Sequence, residues 1–184
     1  TEHLGFRRNN DEFKVMGLAG YGDKSVYKEA MDQLMYPTDD GFFRLNTKYF
    51  DYAAYKISPN LHLENLLGCE ARKHGSELTD QHKDIAAALQ AKTDLVVIHI
   101  ANHLQRKTGL KKLCLAGGVA LNCVMNTSIL ENTAFDDVYI QPASHDAGSA
   151  LGAAYWVQHQ ILDGPRIEVM KRADFGPEYH DIAL

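Results

Sequence analysis

Two segments that each join a short strand to the start of a helix constrain the fold of this chain most. Residues 113–122 read Leu-Cys-Leu-Ala-Gly-Gly-Val-Ala-Leu-Asn, and residues 141–148 read Gln-Pro-Ala-Ser-His-Asp-Ala-Gly. The first predicts a buried strand, a glycine pair and a helix start, and the second predicts a strand that ends at an acidic residue. Strands alternating with helices favour a parallel α/β sheet, in which ligands bind beyond the carboxyl ends of the strands.

The residues at these two junctions predict a site for a nucleotide phosphate and its metal. Gly117 and Gly118 allow the backbone to approach a ligand and to present N–H groups at the positive end of the following helix. Asn122 is placed to bond a ribose or an acyl group. Asp146 ends the neighbouring strand, where a carboxylate suits a hard or borderline metal, although an Asp at a helix start is more often an N-cap.

Hydrophobic spacing predicts the remaining elements. The longest helix is expected from about Thr79 to Arg106, capped by Thr79 or Asp80. The aromatic-rich stretches 41–46 and 48–52 suggest a β-ribbon. Shorter helices and the strands of the parallel sheet are predicted at residues 12–19, 24–35, 61–67, 112–115, 119–130, 138–141 and 147–162.

Several other polar or small residues have both an ordinary and a functional interpretation. His99 and His103 share a helix face at a spacing that can hold zinc or iron, but they fall within its apolar face, so we interpret them as core or edge residues. Cys114 is expected in the buried strand as a small core residue. Glu12 and Lys14 begin a helix, where they either form a solvated first turn or contact a nucleotide or acceptor.

Composition excludes several classes of function. The net charge of −5 over 184 residues weakens any prediction of nucleic-acid binding, which requires clustered Lys and Arg. No apolar run approaches the ~20 residues of a membrane span, and no signal peptide is visible. Three cysteines without CxxC spacing argue against a disulfide framework or structural zinc and favour a reducing compartment, so we expect a cytoplasmic protein without nucleic-acid or membrane partners.

Three motifs in the same order resemble the O-carbamoyltransferases of the nodulation and antibiotic-tailoring type. They are residues 12–22 (Glu-Phe-Lys-Val-Met-Gly-Leu-Ala-Gly-Tyr-Gly) and the two strand-to-helix segments. Residues 83–90 (Lys-Asp-Ile-Ala-Ala-Ala-Leu-Gln) fit the same pattern. The resemblance runs from about residue 11 to Gly176-Pro177. Gly20 stands where proline is usual in this family.

The resemblance implies a ribonuclease H-like lobe of the actin, sugar-kinase and Hsp70 ATPase superfamily, in which the β-ribbon suggested by the aromatic-rich stretches would be a small insertion. Residues 1–176 would be a single lobe, the second half of the carbamoyl-transferring domain that the tRNA-threonylcarbamoylating relatives share. Residues 177–184 would begin a linker to an adenylating domain. The N-terminal lobe and that adenylating domain would be the chain's partners within a longer polypeptide.

The resemblance also implies an activity. Members of the family use ATP and carbamoyl phosphate to make carbamoyl-adenylate, and then pass the carbamoyl group to a hydroxyl of a small-molecule acceptor. A divalent metal, Fe, Zn or Mg, would take part, with two family histidines that lie upstream of this chain, so the fragment alone is expected to be inactive. The implied roles are adenylate binding by Gly117, Gly118 and Asn122, metal binding by Asp146, and proximity to the nucleoside for Glu12, Lys14 and Gly17.

Two alternatives remain open from the sequence. One is another enzyme of the same fold, similar to a tRNA threonylcarbamoyl transferase or a sugar kinase. The other is a regulatory lobe that binds a nucleotide or a metal without catalysis. The sequence does not indicate the acceptor, the catalytic base, the identity of the metal or the oligomeric state.

Overall fold

The computed structural model describes residues 1–51, 58–166, 169–170, 172–174 and 176–177, which fall into two compact units. Unit one comprises Thr1–Leu110 with Val124–Ala134, and unit two comprises Lys111–Cys123 with Phe135–Leu184. The helices are α1 Glu12–Ala19, α2 Lys28–Leu34, α3 Leu61–Leu67, α4 Asp80–Thr108, α5 Cys123–Asn132 and α6 Ser149–Trp156. The strands are β1 Met35–Pro37, β2 Phe43–Leu45, β3 Phe50–Asp51, β4 Ser58–Pro59, β5 Lys112–Leu115 and β6 Asp137–Ile140.

The core of unit one is formed where α1 and α2 pack on the first half of α4, and buried residues of α3 belong to the same cluster. Apolar residues recur at three- and four-residue spacing and are buried, as the sequence predicts for helices packed on one face. Thr79 is the N-cap of α4, and the Nδ1 atom of His82 accepts a hydrogen bond of 3.0 Å from the Thr79 amide. The predicted cap and the predicted long helix are therefore confirmed. The buried cluster consists of Leu4, Val15, Leu18, Ala30, Met31, Leu34, Tyr49, Leu63, Leu67, Ile85, Ala86 and Ala88.

No helix among the described residues is both long and apolar enough to cross a bilayer. The longest, α4, has 29 residues, but charged and amide side chains interrupt it along its whole length. Its buried face carries even a lysine, Lys92, whose ammonium lies 2.6 Å from the Asp32 carboxylate of α2. This pairing satisfies the buried charge, which is otherwise costly in a protein interior.

The second helix is shorter than the sequence predicts. The prediction was residues 24–35, whereas α2 begins at Lys28 and ends at Leu34. Before α2, the carboxylate of Asp23 accepts hydrogen bonds from the Ser25 amide and hydroxyl, at 2.8 and 2.7 Å, and so holds a turn. After α2, Pro37 favours extended backbone, and residues 35–37 form β1.

The aromatic-rich region forms strands, but they do not pair as a single ribbon. β1 pairs with β2 in antiparallel register, with Tyr36 opposite Arg44, and β3 pairs with β4, with Phe50 opposite Pro59. The predicted pairing of stretch 41–46 with stretch 48–52 is therefore wrong, and Tyr52 lies outside the described residues. The prediction fails because the partner of β2 precedes it in sequence, and the first residue of that partner strand, Met35, falls at the end of the predicted helix.

The two histidines of α4 hold the β1–β2 hairpin rather than facing a shared ligand. The Nε2 atom of His99 donates a hydrogen bond of 2.9 Å to the carbonyl of Thr38, at the start of the hairpin loop. Gly41, in the same loop, lies so close to His103 that a Cβ atom there would overlap the imidazole ring. These contacts agree with the interpretation of His99 and His103 as packing residues.

Unit two contains the parallel strand pair that the sequence predicts. β5 and β6 run in register, with Leu113 opposite Val138 and Leu115 opposite Ile140. The predicted helix 119–130 divides into a 3₁₀ turn at Gly118–Leu121 and α5, and the predicted helix 147–162 divides into a 3₁₀ turn, α6 and a π-helical end at Val157–Ile161. Cys114 is exposed, so its predicted burial is wrong; it alternates with buried Leu113 along the strand.

We expect Gly41→Ala to destabilise the protein more than Gly68→Ala does. Both glycines have positive φ, 85° and 65°, and each alanine therefore costs about 1 kcal/mol of backbone strain. Only at Gly41 would the new Cβ also meet a side chain, that of His103, which adds about 1–3 kcal/mol. Denaturant unfolding of both variants measures the difference, and equal losses would contradict the close packing of the hairpin on α4.

Candidate functional site

The carboxyl ends of β5 and β6 are joined by backbone hydrogen bonds. The Gln141 amide donates to the carbonyl of Leu115 at 3.1 Å, and the Gly117 amide donates to the carbonyl of Ser144 at 2.7 Å. The Gly117 N–H is thus used by the neighbouring loop. Gly118 is exposed, and a Cβ at either glycine would meet no atom within 4 Å, so the space beside the pair is open to a ligand.

The backbone of Gly117 explains why a glycine stands at this junction. Its φ of 101° and ψ of 162° lie in a region that other residues avoid. This conformation turns the chain from β5 into the 3₁₀ turn at Gly118–Leu121 while its amide reaches the Ser144 carbonyl. The glycine pair therefore fixes the geometry of both loops.

The loop after β6 is held by hydrogen bonds among its own groups. The Gln141 side chain accepts from the Ala143 amide, the Nδ1 atom of His145 accepts from the Ala147 amide at 3.4 Å, and the Gly148 amide donates to the His145 carbonyl at 2.9 Å. A Cβ at Gly148 would overlap the carbonyl oxygen of Ala143. The loop is held in one shape, as a preorganised site requires.

Asp146 is exposed at the tip of this loop. It is the first residue of the 3₁₀ turn Asp146–Gly148, and the cap of that turn is His145 rather than Asp146. Its carboxylate has no hydrogen bond or ion pair to any residue that the structure describes. The ordinary explanation of this Asp as an N-cap therefore does not apply, and its carboxylate is available to a cation or a donor.

One carboxylate does not make a metal site. Among the residues the structure describes, no group of three or more His, Cys, Asp or Glu side chains is arranged to hold a metal ion. Asp146 fits the role of a single ligand, and the other ligands of any metal there would have to come from outside this part of the chain.

Asn122 lies before α5 rather than one turn inside it, as the sequence predicted. Its backbone is extended, and its amide donates a hydrogen bond of 3.0 Å to the carbonyl of Val119, which closes the 3₁₀ turn. The residue is half-buried and follows Gly118 by four positions. A turn of 3₁₀ helix thus separates the glycine pair from Asn122.

In unit one, the charged residues at the start of α1 are bound by the segment that precedes the helix. The Oε1 atom of Glu12 accepts from the Asn9 amide at 2.7 Å, and Lys14 pairs with Asp11 at 2.9 Å. Asp11 was missed by the sequence reasoning, yet it is 2% exposed and also accepts from the Arg7 amide at 3.0 Å. Hydrogen bonds from Lys14 and the Arg7 amide lower the pKa of Asp11 to about 2.

A cavity of about 810 Å³ lies beside α1 in unit one. Gly17 lines it, whereas Glu12 and Lys14 do not, so the structure separates the three residues that the resemblance had grouped. Half of its lining residues are glycine or alanine, and its polar groups include Asp23 and Lys24 as well as Gln90 and Asp94 of α4. Sequence reasoning missed Asp94, although the motif at residues 83–90 ends at Gln90, one turn before it.

These features define a mixed α/β protein with one parallel strand pair. The two loops that follow these strands are exposed and are joined by a backbone hydrogen bond. The sequence profile of the family described as Carbamoyltransferase N-terminus matches residues 1–155. The chain belongs to this carbamoyltransferase family, which confirms the resemblance at the level of the family.

Relatives agree with this assignment. The chain is 42% identical, over 97% of its length, to an uncharacterized protein of Synechocystis sp., and 42% identical, over 91% of its length, to the nodulation protein NolO of Bradyrhizobium diazoefficiens. It is 39% identical, over 91% of its length, to the nodulation protein NolNO of Sinorhizobium fredii. The chain spans only 30%, 29% and 23% of the lengths of these three proteins, respectively.

We expect the stability of the protein to fall as the pH falls from about 4 to about 2, in part because Asp11 becomes protonated. The pKa of Asp11 is lowered on folding from about 3.9 to about 2, so its contribution is present above pH 4 and lost through the folded pKa. Asp11→Asn should flatten the unfolding free energy over this range. The exposed Asp39→Asn is the control, and parallel profiles for the Asp11 variant and the unsubstituted protein would contradict the assignment.

We expect Gly148→Ala to destabilise the protein by about 1–3 kcal/mol, because backbone cannot easily move away from the new Cβ. Gly152→Ala in α6 is the matched control, since a Cβ there meets nothing within 4 Å and alanine favours a helix by about 1 kcal/mol. Denaturant unfolding compares the two. A neutral Gly148→Ala would show that the loop is not held as tightly as described.

Proposed function

We propose that this chain is part of an ATP-dependent O-carbamoyltransferase, which passes a carbamoyl group from carbamoyl-adenylate to a hydroxyl of a small-molecule acceptor. The adenylate would be made from carbamoyl phosphate and ATP. The observation that carries the proposal is the hydrogen bond from Gly117 to the Ser144 carbonyl, which joins the glycine junction to the loop bearing Asp146. Membership of the carbamoyltransferase family supports it.

The finer fold is also part of the proposal. We infer a ribonuclease H-like lobe of the actin, sugar-kinase and Hsp70 ATPase superfamily, in which residues 1–176 are the second half of the transferring domain. The parallel β5–β6 pair, followed by helices, supports this inference. The small share of the relatives' length that the chain spans agrees with an N-terminal lobe and an adenylating domain encoded elsewhere in a longer polypeptide.

The chemistry requires an activated carbamate. Joined to AMP, the carbamoyl carbon accepts attack by the acceptor oxygen, and AMP departs with the electrons of the broken C–O bond. The exposed Gly118 and the bare backbone of Gly117 leave room for the phosphate beside a backbone amide, which stabilises negative charge. Asn122, which follows on the same turn, would orient the adenylate.

Asp146 would be one ligand of a divalent metal, Fe, Zn or Mg. Such an ion, when bound, would neutralise phosphate charge and polarise the carbonyl. Asp146 suits this role because its carboxylate is exposed and the His145 cap leaves it uncommitted. The loop bonds around it fix where the carboxylate lies relative to β6.

For the nucleoside, Gly17 is the best supported of the three residues at α1. It lines a cavity of suitable size, and the absence of a side chain keeps that cavity open. Glu12 and Lys14 would act at the start of the helix, after exchanging their present bonds to Asn9 and Asp11 for a ligand.

A second candidate is a lobe that binds a nucleotide or metal without catalysis. It would use the same exposed Asp146 carboxylate and the same open space beside Gly117 and Gly118. An enzyme similar to a tRNA threonylcarbamoyl transferase or a sugar kinase would share the fold but not the use of carbamoyl phosphate. Turnover of that substrate therefore separates all three.

Calorimetry of the full-length protein with ATP and a divalent metal tests the proposal. We expect Asp146→Ala to weaken metal-dependent nucleotide binding by about tenfold or more, since one charged ligand is lost. Asp136→Ala is the control, because this exposed carboxylate precedes β6, at the opposite end of the strand from Asp146. Pyrophosphate release with carbamoyl phosphate and ATP measures turnover in parallel.

The outcomes distinguish the candidates. Binding that depends on Asp146, together with turnover of carbamoyl phosphate, supports the transferase. Binding without turnover favours the regulatory lobe, and equal effects of Asp146→Ala and Asp136→Ala contradict the role of the loop. Carbamoyl transfer by the isolated 184 residues would contradict the proposal that the chain supplies only part of the site.

A further inference from the structure

The cavity beside α1 has a polar wall that the proposed roles do not use. Asp94 and Gln90 lie on this wall, one turn apart on α4. The volume of about 810 Å³ falls within the range of small-molecule sites. Met16 and Val124 provide apolar surface in the same cavity. The lining therefore combines the carboxylates of Asp23 and Asp94, the ammonium of Lys24 and the amide of Gln90 with apolar side chains. Such a lining suits a ligand with a polar and an apolar part.

The Asp94 carboxylate is held in place by two hydrogen bonds. The Nε2 atom of Gln90 donates to Oδ1 at 2.7 Å, and the hydroxyl of Ser128 on α5 donates to Oδ2 at 3.1 Å. A carboxylate has about four lone-pair positions, so each oxygen can accept one further hydrogen bond. Two acceptor oxygens fixed side by side match the two hydroxyls of a vicinal diol, as carboxylates do when they bind ribose.

Specific contacts with α4 hold the segment at the opening of the cavity. Gly22 lies against the backbone of α4, where a Cβ would overlap the carbonyl of Lys83. The neighbouring Asp23 amide donates a hydrogen bond of 2.7 Å to the Asp84 carboxylate. These contacts fasten the turn after α1 to α4, while Gly17 on the other wall faces open space. Residues 83–90 thus form one side of the cavity and anchor its rim.

We propose that this cavity binds the vicinal diol of a sugar ring, with Asp94 accepting hydrogen bonds from both hydroxyls. Gln90 and Ser128 are positioning residues that orient the carboxylate. The diol is carried either by the ribose of an adenine nucleotide or by a sugar acceptor. The apolar surface of Met16 and Val124 suits a base and favours the ribose. The assignment rests on the proposed function, which supplies the nucleotide.

The test compares AMP with 2′-deoxy-AMP, which lacks one of the two hydroxyls, by calorimetry of the full-length protein. We expect AMP to bind about 10- to 100-fold more tightly, the usual effect of a hydrogen bond to a charged group. Asp94→Asn keeps the size of the side chain and should bring the ratio of the two affinities close to one. Ser128→Ala, which frees one carboxylate oxygen, should reduce the ratio by less.

Two variants of Gly17 test the cavity itself. Gly17→Leu should fill the space and abolish binding of both nucleotides, whereas Gly17→Ala should bind both and raise helix stability. Denaturant unfolding of every variant checks that the protein folds. If Asp94→Asn does not fold, Ser128→Ala alone is used to test the role of the Asp94 carboxylate. D-mannose, a sugar with a vicinal cis-diol and no base, is titrated as the third ligand.

Each result decides between the possibilities. An AMP to 2′-deoxy-AMP ratio that Asp94→Asn and Ser128→Ala leave unchanged, with no mannose binding that needs Asp94, overturns the assignment of Asp94, while the proposed function stands. Binding of mannose that needs Asp94, without such dependence for AMP, supports diol recognition and assigns it to the acceptor. A protein that binds neither AMP nor mannose defeats both the assignment and the nucleotide-dependent function.

Discussion

The hydrogen bond between the Gly117 amide and the Ser144 carbonyl is the interaction on which the candidate site depends. Parallel strands place their carboxyl ends at one edge of a sheet, but they do not by themselves fix the loops that follow. This bond does, because it joins the two loops directly. It also uses the Gly117 N–H, which the sequence suggests is free for a ligand, so that any amide offered to a ligand by the glycine pair would be that of Gly118.

In unit one, too, a few local contacts fix the shape of a candidate site, here the cavity beside α1. Backbone contact at Gly22 and the hydrogen bond from the Asp23 amide to the Asp84 carboxylate hold the turn after α1 against α4, while Gly17 leaves the space beside it open. The cavity exists in part because glycines such as Gly17 place no side chain in it. It is lined by a carboxylate whose orientation is set by neighbours on two helices.

The sequence predicted best the elements whose signal is local. The bounds of α1, α3 and β5 and the Thr79 cap were predicted as observed, because spacing, capping and flanking glycines lie within each segment. Errors arose where a distant or a side-chain contact decides the structure. The Asp23–Ser25 bonds shortened α2, and the pairing of β1 with β2 could not be inferred from β2 alone.

The sequence located the residues of the candidate site that lie in local motifs, and it missed those whose surroundings come from distant parts of the chain. Gly117, Gly118 and Asp146 follow predicted strands, so their motifs located them. Asp94 could not be found in this way, since its significance comes from Ser128, 34 residues away, and from a cavity that no single motif describes. The buried carboxylate of Asp11 was missed because its three-sided hydrogen bonding comes from flanking backbone and side-chain groups.

The exposure of the Cys114 thiol follows from the alternation of side chains along β5. Cys114 and Cys123, both in unit two, are exposed, whereas Cys69 in unit one is partly covered, and burial raises the pKa of its thiol. Thiolate is the reactive form, so an alkylating fluorophore added near neutral pH would label unit two first. A fluorophore on the native cysteines would thus report on unit two, and no cysteine would have to be introduced.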